Sequence, residues 1–449
     1  MKSSNKQYGK RLLILAFPII MNNIIAQLQM IIDRIFLGHA NDLYMSALGN
    51  VSSPVWTTMS FCNSLVMGAS ILISQSVGAK KREDIGEYAG AMLKYNNIIP
   101  IFLCFFWMIF PKPVFMILGV SDNVMPLCLG YVRWYAPLFL LTGLGGSLGV
   151  ILQTSNYTKP LVVYGCVRSG LNIFLDWMLI FGNLGMPALG IEGAAIATVI
   201  AEYVGAIYIS VIFFFTSKKL PTRPSWNDVK KGHFQSYLNA AKLGINIALE
   251  DFAWNIGNLI LIRILNSINE YAAGIYTIIF GVEVLAVVII GAIGSGTMTL
   301  TSEATGRKAL AQYKGITLCA YAVCAIVTVV MIVGAVLFPE QILSLFTSDK
   351  TVIASCAGYL LLIGINLFSK SGNIIIGNAI RGSGNTKWML FTQIFGTIWI
   401  VSVASVLVFI CKLGIFGVVL AVILDEGVRA LINLGKYLRI VKKWGEWNG

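Results

Sequence analysis

Charge is what this chain has least of. Asp, Glu, Lys and Arg make up only 12% of its 449 residues, against 57% hydrophobic ones, and the mean hydropathy is +0.78. So few charges cannot coat a soluble globule of that length, which leaves lipid as the main solvent. Histidine is scarcer still: the only two, His39 and His233, stand apart from other ligand-type side chains, so a structural zinc or a histidine-based catalytic centre has no support. Eight cysteines are present without a CxxC pair. Most of them, among them Cys62, Cys104, Cys166, Cys319, Cys324, Cys356 and Cys411, lie in or beside apolar runs and read as reduced packing residues. No GxxxxGK[ST] segment occurs, and no polar stretch is long enough to hold a nucleotide-binding domain. Energy must then come from an ion gradient or from a partner. No clustered catalytic set is visible, so the chain reads as no enzyme and needs no cofactor beyond a coupling ion.

What is abundant is apolar length. Runs of ~20 residues, enough for one helix to cross ~30 Å of hydrocarbon, recur about twelve times. They fall at 12–37, 45–76, 88–110, 131–152, 161–182, 189–215, 240–265, 271–298, 315–338, 355–380, 388–411 and 413–437. The first run is too long for a signal peptide and lacks a small-residue cleavage site, so it reads as retained. The net charge of +13 sits in alternate connections, for example Lys80, Lys81 and Arg82, then Lys218, Lys219 and Arg223, then Arg307 and Lys308. By the positive-inside rule both termini are cytoplasmic, in a multi-pass protein of the cell membrane, and solvated basic loops account for the charge without nucleic acid as a partner.

The longest polar stretch, Ser217 to His233, divides the chain into an amino-terminal lobe (1–216), a cytoplasmic linker (217–238) and a carboxy-terminal lobe (239–449). The lobes repeat one another. Leu189, Gly190 and Ile191 return as Leu413, Gly414 and Ile415; Gly193 and Glu202 as Gly417 and Glu426; Thr158 and Lys159 as Thr386 and Lys387; Gly78 as Gly306. The expected fold is an all-α polytopic membrane protein, twelve transmembrane helices in two six-helix bundles related by a pseudo-twofold along the membrane normal, a layout of transporters with a site between halves.

Polar residues inside such helices are costly and mark ion routes. Asn172 and Asp176 lie one turn apart in LNIFLDWMLIFG, whose second-half match has no carboxylate. Asp33, near the outer end of the first span, and Thr198, on the descending sixth, reach a similar depth, within roughly 10–12 Å of the outer boundary at ~1.5 Å per residue. These four residues can meet. Two carboxylates desolvated together disfavour double ionisation and so can take up a proton; carboxylate, amide and hydroxyl oxygens also suit sodium, so either ion remains open. The alternative for Asp176 is a salt bridge to Arg168, and for Asp33 a pairing with Arg34. Glu202, Glu250, Asp251 and Glu283 form a further acidic group for a substrate cavity or second ion, with Lys242 or Arg263 as structural partners of Glu250 and Asp251. Pro18 interrupts the ladder of the first span and is a candidate hinge.

FPIIMNNIIAQLQMIIDRIFLGHA, GASILISQSVGAKKREDI, TSNYTKPLVVYGC, LNIFLDWMLIFG and LGIEGAAIATVIAE together resemble the multidrug and toxic compound extrusion (MATE) family over the whole chain. The resemblance implies a V-shaped, twelve-helix secondary transporter, monomeric, that exports small organic compounds, cationic or amphipathic, in exchange for protons or sodium ions by alternating access. It implies that Asp33, Asn172, Asp176 and Thr198 form the first-lobe ion site and that Pro18 is the bending proline. Arg34 departs from the small polar residue usual after the aspartate, and Gly244, Ile245 and Asn246 stand where Gly-x-Pro is frequent. A lipid-linked precursor flippase of the same superfamily is the alternative, and a membrane-embedded enzyme a remote one.

Overall fold

The computed structural model describes residues 2–268, 272–344 and 350–447, and among these residues every regular element is helical. Nine helical stretches are long and apolar enough to cross a membrane: α1 (Lys2–Ala40), α2 (Asp42–Gly78), α3 (Arg82–Ile109), α4 (Met125–Thr154), α6 (Ile191–Phe215), α8 (Ala272–Gly306), α9 (Leu310–Leu337), α10 (Lys350–Gly382) and α11 (Thr386–Ile410). Three more are as long but carry more charge: α5 (Lys159–Phe181), α7 (Phe234–Asn266) and α12 (Gly414–Trp447). The fold is thus all-α with twelve long helices. Their bounds follow the apolar runs to within a few residues, and most helices extend a turn or more beyond them into polar flanks.

Local breaks have local causes. Asn96 and Asn97 interrupt α3 between Tyr95 and Ile98, where the Asn96 amide donates to the Gly143 carbonyl at 3.1 Å. Pro137 sits in a tight 3-10 turn that interrupts α4. Short helices opened by proline, Pro111–Ile117 and Pro339–Ser344, occupy matching places before α4 and α10, a further mark of the repeat.

The chain forms two compact units whose borders fall inside helices. One comprises Phe17–Val77 and Lys81–Ile245; the other comprises Met1–Ala16, Gly78–Lys80 and Asn246–Gly449. The start of α1, up to Ala16, therefore groups with the second unit, whereas a simple division at the linker would leave it in the first. In the first unit, Trp107, Phe115 and Phe139 are fully buried at the centre of one apolar cluster. In the second, Tyr313 stacks on Tyr437 with centroids 5.5 Å apart and meets Trp444. The many exposed Phe, Ile and Leu side chains, Phe102, Ile207 and Phe214 among them, are what a lipid-facing surface needs.

The linker folds onto the first unit. Ser225 caps the short helix Trp226–Lys231, its hydroxyl accepting from the Asp228 amide at 3.2 Å while the Asp228 carboxylate accepts from the Ser225 amide at 2.7 Å. Gly86 and Gly90 of α3 leave room for it: a Cβ at Gly90 would stand 2.4 Å from the Asp228 carbonyl oxygen. Arg82 donates to the carbonyls of Pro221 and Arg223, and Lys94 to that of Lys230.

Candidate functional site

Helices α5 and α6 approach closely at Gly193, where a Cβ would come within 2.6 Å of the Leu179 carbonyl oxygen. The connection between them needs left-handed backbone at Gly182 (φ 74°) and Gly190 (φ 56°), which glycine adopts without strain. This packing sets Asn172 and Asp176, both fully buried on α5, against Thr198 on α6. Thr198 donates its hydroxyl proton to the Ala194 carbonyl at 2.9 Å, so its lone pairs face the site, and the Asn172 amide donates to it at 3.3 Å. The Asp33 carboxyl, from α1, faces that of Asp176. All four residues singled out from the sequence meet in one place.

The donors and acceptors there do not balance. Asp33 Oδ1, both oxygens of Asp176 and Asn172 Oδ1 are buried and have no hydrogen-bond partner. Buried polar atoms are almost always satisfied, and charged ones cost most when they are not. Four acceptors gathered without donors suit something that supplies positive charge: a proton shared by the carboxylates, or a cation with oxygen ligands. The all-oxygen set of two carboxylates, an amide and a hydroxyl fits either.

Arg168 does not neutralise Asp176. Its guanidinium donates to Glu202 at 2.9 Å and lies over the Tyr164 ring, while the Tyr164 hydroxyl donates to the same carboxylate. Glu202 is thus held as a structural partner of Arg168 and stands outside the orphaned set. Two neighbours escaped the sequence reading. Gln29, one turn before Asp33, accepts from Ser169 at 2.7 Å and turns its amide towards Asp33. Tyr131 of α4, stacked on Tyr135 with centroids 5.6 Å apart, brings its phenol near both acids. The signal was i, i+4 spacing: Gln29 to Asp33 and Tyr131 to Tyr135 each share a helix face.

In the other unit the acidic residues do not form one group. Glu250 is paired with Arg381 of α10, where Lys242 or Arg263 was expected, and Asp251 adds to the field on the same arginine. Glu283 of α8 lies elsewhere, 2.9 Å from Lys370 Nζ and 3.1 Å from the Asn366 amide. Lys370, on α10, also lies 3.7 Å from Glu426 of α12. Arg429 binds Asp425 at 2.8 Å, Glu426 at 3.3 Å and Gln393 at 2.7 Å. Asn373 donates to Glu426 at 2.7 Å. This network borders a small recess walled by Trp254, Tyr276 and Phe280. Lys370 gave no sequence signal, being a single charge whose partners sit on α8 and α12, whereas Asp425, Glu426 and Arg429 stand at i, i+3 and i, i+4 spacing on α12, a signal present in the sequence.

The MatE family model matches residues 18–178 and 228–422. The chain belongs to the MatE family. It is therefore a membrane transporter and not an enzyme. Among curated MatE relatives, it is 28% identical to a probable multidrug resistance protein NorM of Thermotoga maritima, over 99% of this chain and 94% of that protein. It is 25% identical to a probable multidrug resistance protein YoeA of Bacillus subtilis, over 98% and 96%. A MATE crystal structure in the bent conformation matches at TM-score 0.89 and 18% identity, covering 99% of this chain and 98% of that one. One in the straight conformation matches at 0.88 and 18%, over 98% and 97%. The MatE fold of twelve helices in two lobes is thereby established.

Proposed function

We propose that this transporter exports small organic compounds, cationic or amphipathic, from the cell in exchange for protons or sodium ions, with Asp33, Asn172, Asp176 and Thr198 as the ion site. The observation that carries this reading is the set of four orphaned acceptors in the first unit, whose two carboxylates lack any positive side chain in contact. The relatives' names as multidrug resistance proteins support the substrate class. Loading those acids with a positive charge favours one conformation, and an organic substrate favours the other, so each drives release of its competitor. One charge moving down 100 mV supplies ~2.3 kcal/mol, enough for roughly a fifty-fold concentration ratio.

The test is dye efflux from vesicles under separately imposed proton and sodium gradients. Wild-type protein should respond to at least one gradient, and the Asp176→Asn variant should lose efflux on the order of tenfold, about 1.4 kcal/mol of driving force. Equal pumping by both proteins under both gradients would remove the site from the mechanism.

A further inference from the structure

The two lobes place their charges on different helices. At the offset that carries Gly78 onto Gly306 and Thr158 onto Thr386, the first-lobe residues Asp33, Asn172 and Asp176 fall on Leu261, Ile400 and Ala404; at the offset of Glu202 and Glu426, Thr198 falls on Val422. Three of these apolar counterparts, Leu261, Ile400 and Val422, line the second-lobe recess. The reverse also holds: Glu283 and Lys370 fall on Val55 and Thr142. The recess thus occupies the place in its own lobe that the orphaned acids occupy in theirs, but its charges come from α10 and α12, with Glu283 of α8 paired to Lys370 at its edge.

Lys370 is the centre of that arrangement. Its side chain is 10% exposed, its ammonium lies 2.9 Å from Glu283 and 3.7 Å from Glu426, and it stands 5.6 Å from the centroid of the Phe280 ring. Asn366 donates to the same Glu283 oxygen as Lys370, Arg429 shares its Glu426 oxygen, and Asn373 donates to the other oxygen of Glu426. We propose that Lys370 is a tethered counter-ion: its ammonium holds, in the second lobe, the position that a free monovalent cation would take between Glu283 and Glu426, which confines ion coupling to the first lobe. Removing the ammonium would leave the buried Glu283 carboxylate without its cation beside the unpartnered Asn366 Oδ1, oxygen ligands of the kind a small cation needs, while Glu426 stays held by Arg429. Lys370 is then the residue that sets how many ions one cycle uses. This inference rests on the ion-coupled reading above for its meaning, but its test does not require transport.

The purified full-length protein carrying Asp33→Asn and Asp176→Asn, which silences the first lobe, is compared with the same protein carrying Lys370→Ala as well. Thermal unfolding is followed in sodium, methylammonium and tetramethylammonium chloride at constant ionic strength. The alanine variant should melt lower than its parent and regain several degrees, roughly 2–4 °C per kcal/mol of binding, in sodium or methylammonium but not in tetramethylammonium. Adding Glu283→Gln should abolish the regain, and the Lys370 parent should show no difference among the cations. If the alanine variant is not recovered folded, Lys370→Met keeps the volume of the stem; there methylammonium has no room and sodium alone should stabilise. Indifference of the Lys370 variant to cation identity overturns the proposal, as does an equal sodium response in the Lys370 parent. Failure of gradient-driven efflux in vesicles would instead count against the ion-coupled reading and leave this result standing.

Discussion

At the scale of single residues, the first unit separates two kinds of buried acid. Glu202 is clamped by Arg168 and Tyr164, whereas Asp33 and Asp176 face each other with no cationic side chain in contact. The distinction predicts different phenotypes. Arg168→Met strands a partly buried carboxylate, and losing one partner of such a pair costs about 3–5 kcal/mol, so the thermal midpoint should fall by many degrees. Glu202→Gln should fall less, and the double variant should recover part of the loss; additive losses in that cycle would show that the pair is not coupled. Asp176→Asn, by contrast, removes an unpartnered charge and should leave the midpoint unchanged or raise it while cutting coupled efflux about tenfold. The sequence identified Asp33, Asn172, Asp176 and Thr198 because intramembrane polarity is rare enough to notice in one chain. It did not reveal that Arg168 prefers Glu202 to Asp176, because both acids lie within reach of it and only the packing of α5 on α6 decides between them.

At the scale of elements, Pro18 and the division of the chain coincide. The border between the two units falls between Ala16 and Phe17 in α1, beside the proline that removes one hydrogen bond from that helix. The second border falls between Ile245 and Asn246 in α7, and Asn246 is the residue at the repeat position of Pro18. Each lobe's first helix is thus divided at nearly the same point, one residue apart in the repeat, with and without proline. Pro18→Ala restores a backbone donor, so stability should hold or rise while efflux drops several-fold; full efflux with an unchanged midpoint would deny the hinge. The spans themselves were legible because ~20 apolar residues in a row suit little besides a helix that crosses lipid. Helices α5, α7 and α12 show the limit of hydropathy as a guide, since Arg168, Asp176, Glu250, Asp251, Asp425, Glu426 and Arg429 lower it where charge is most organised.

At the scale of the whole molecule, twelve long helices and basic residues in alternate connections predict residues 80, 159, 226 and 308 on the cytoplasmic side with both termini, and residues 112 and 412 outside. Single cysteines introduced at these positions should react with an impermeant maleimide from opposite faces of sealed vesicles, and labelling of 80 and 112 from one face would contradict the topology. The repeat was visible in recurring glycines and threonines. What it hid was the exchange of polarity between lobes, because Lys370 and Glu283 are far apart in sequence and meet only when α8 and α10 pack.

The linker between the halves is fastened at Arg82, Lys94, Gly86 and Gly90 to the first unit, and that unit continues into α7 as far as Ile245. The segment after residue 220 is consequently fastened to its own unit as far as Ile245 rather than left as a slack cord. Lengthening the chain around residues 217–219 should therefore leave that fastening intact.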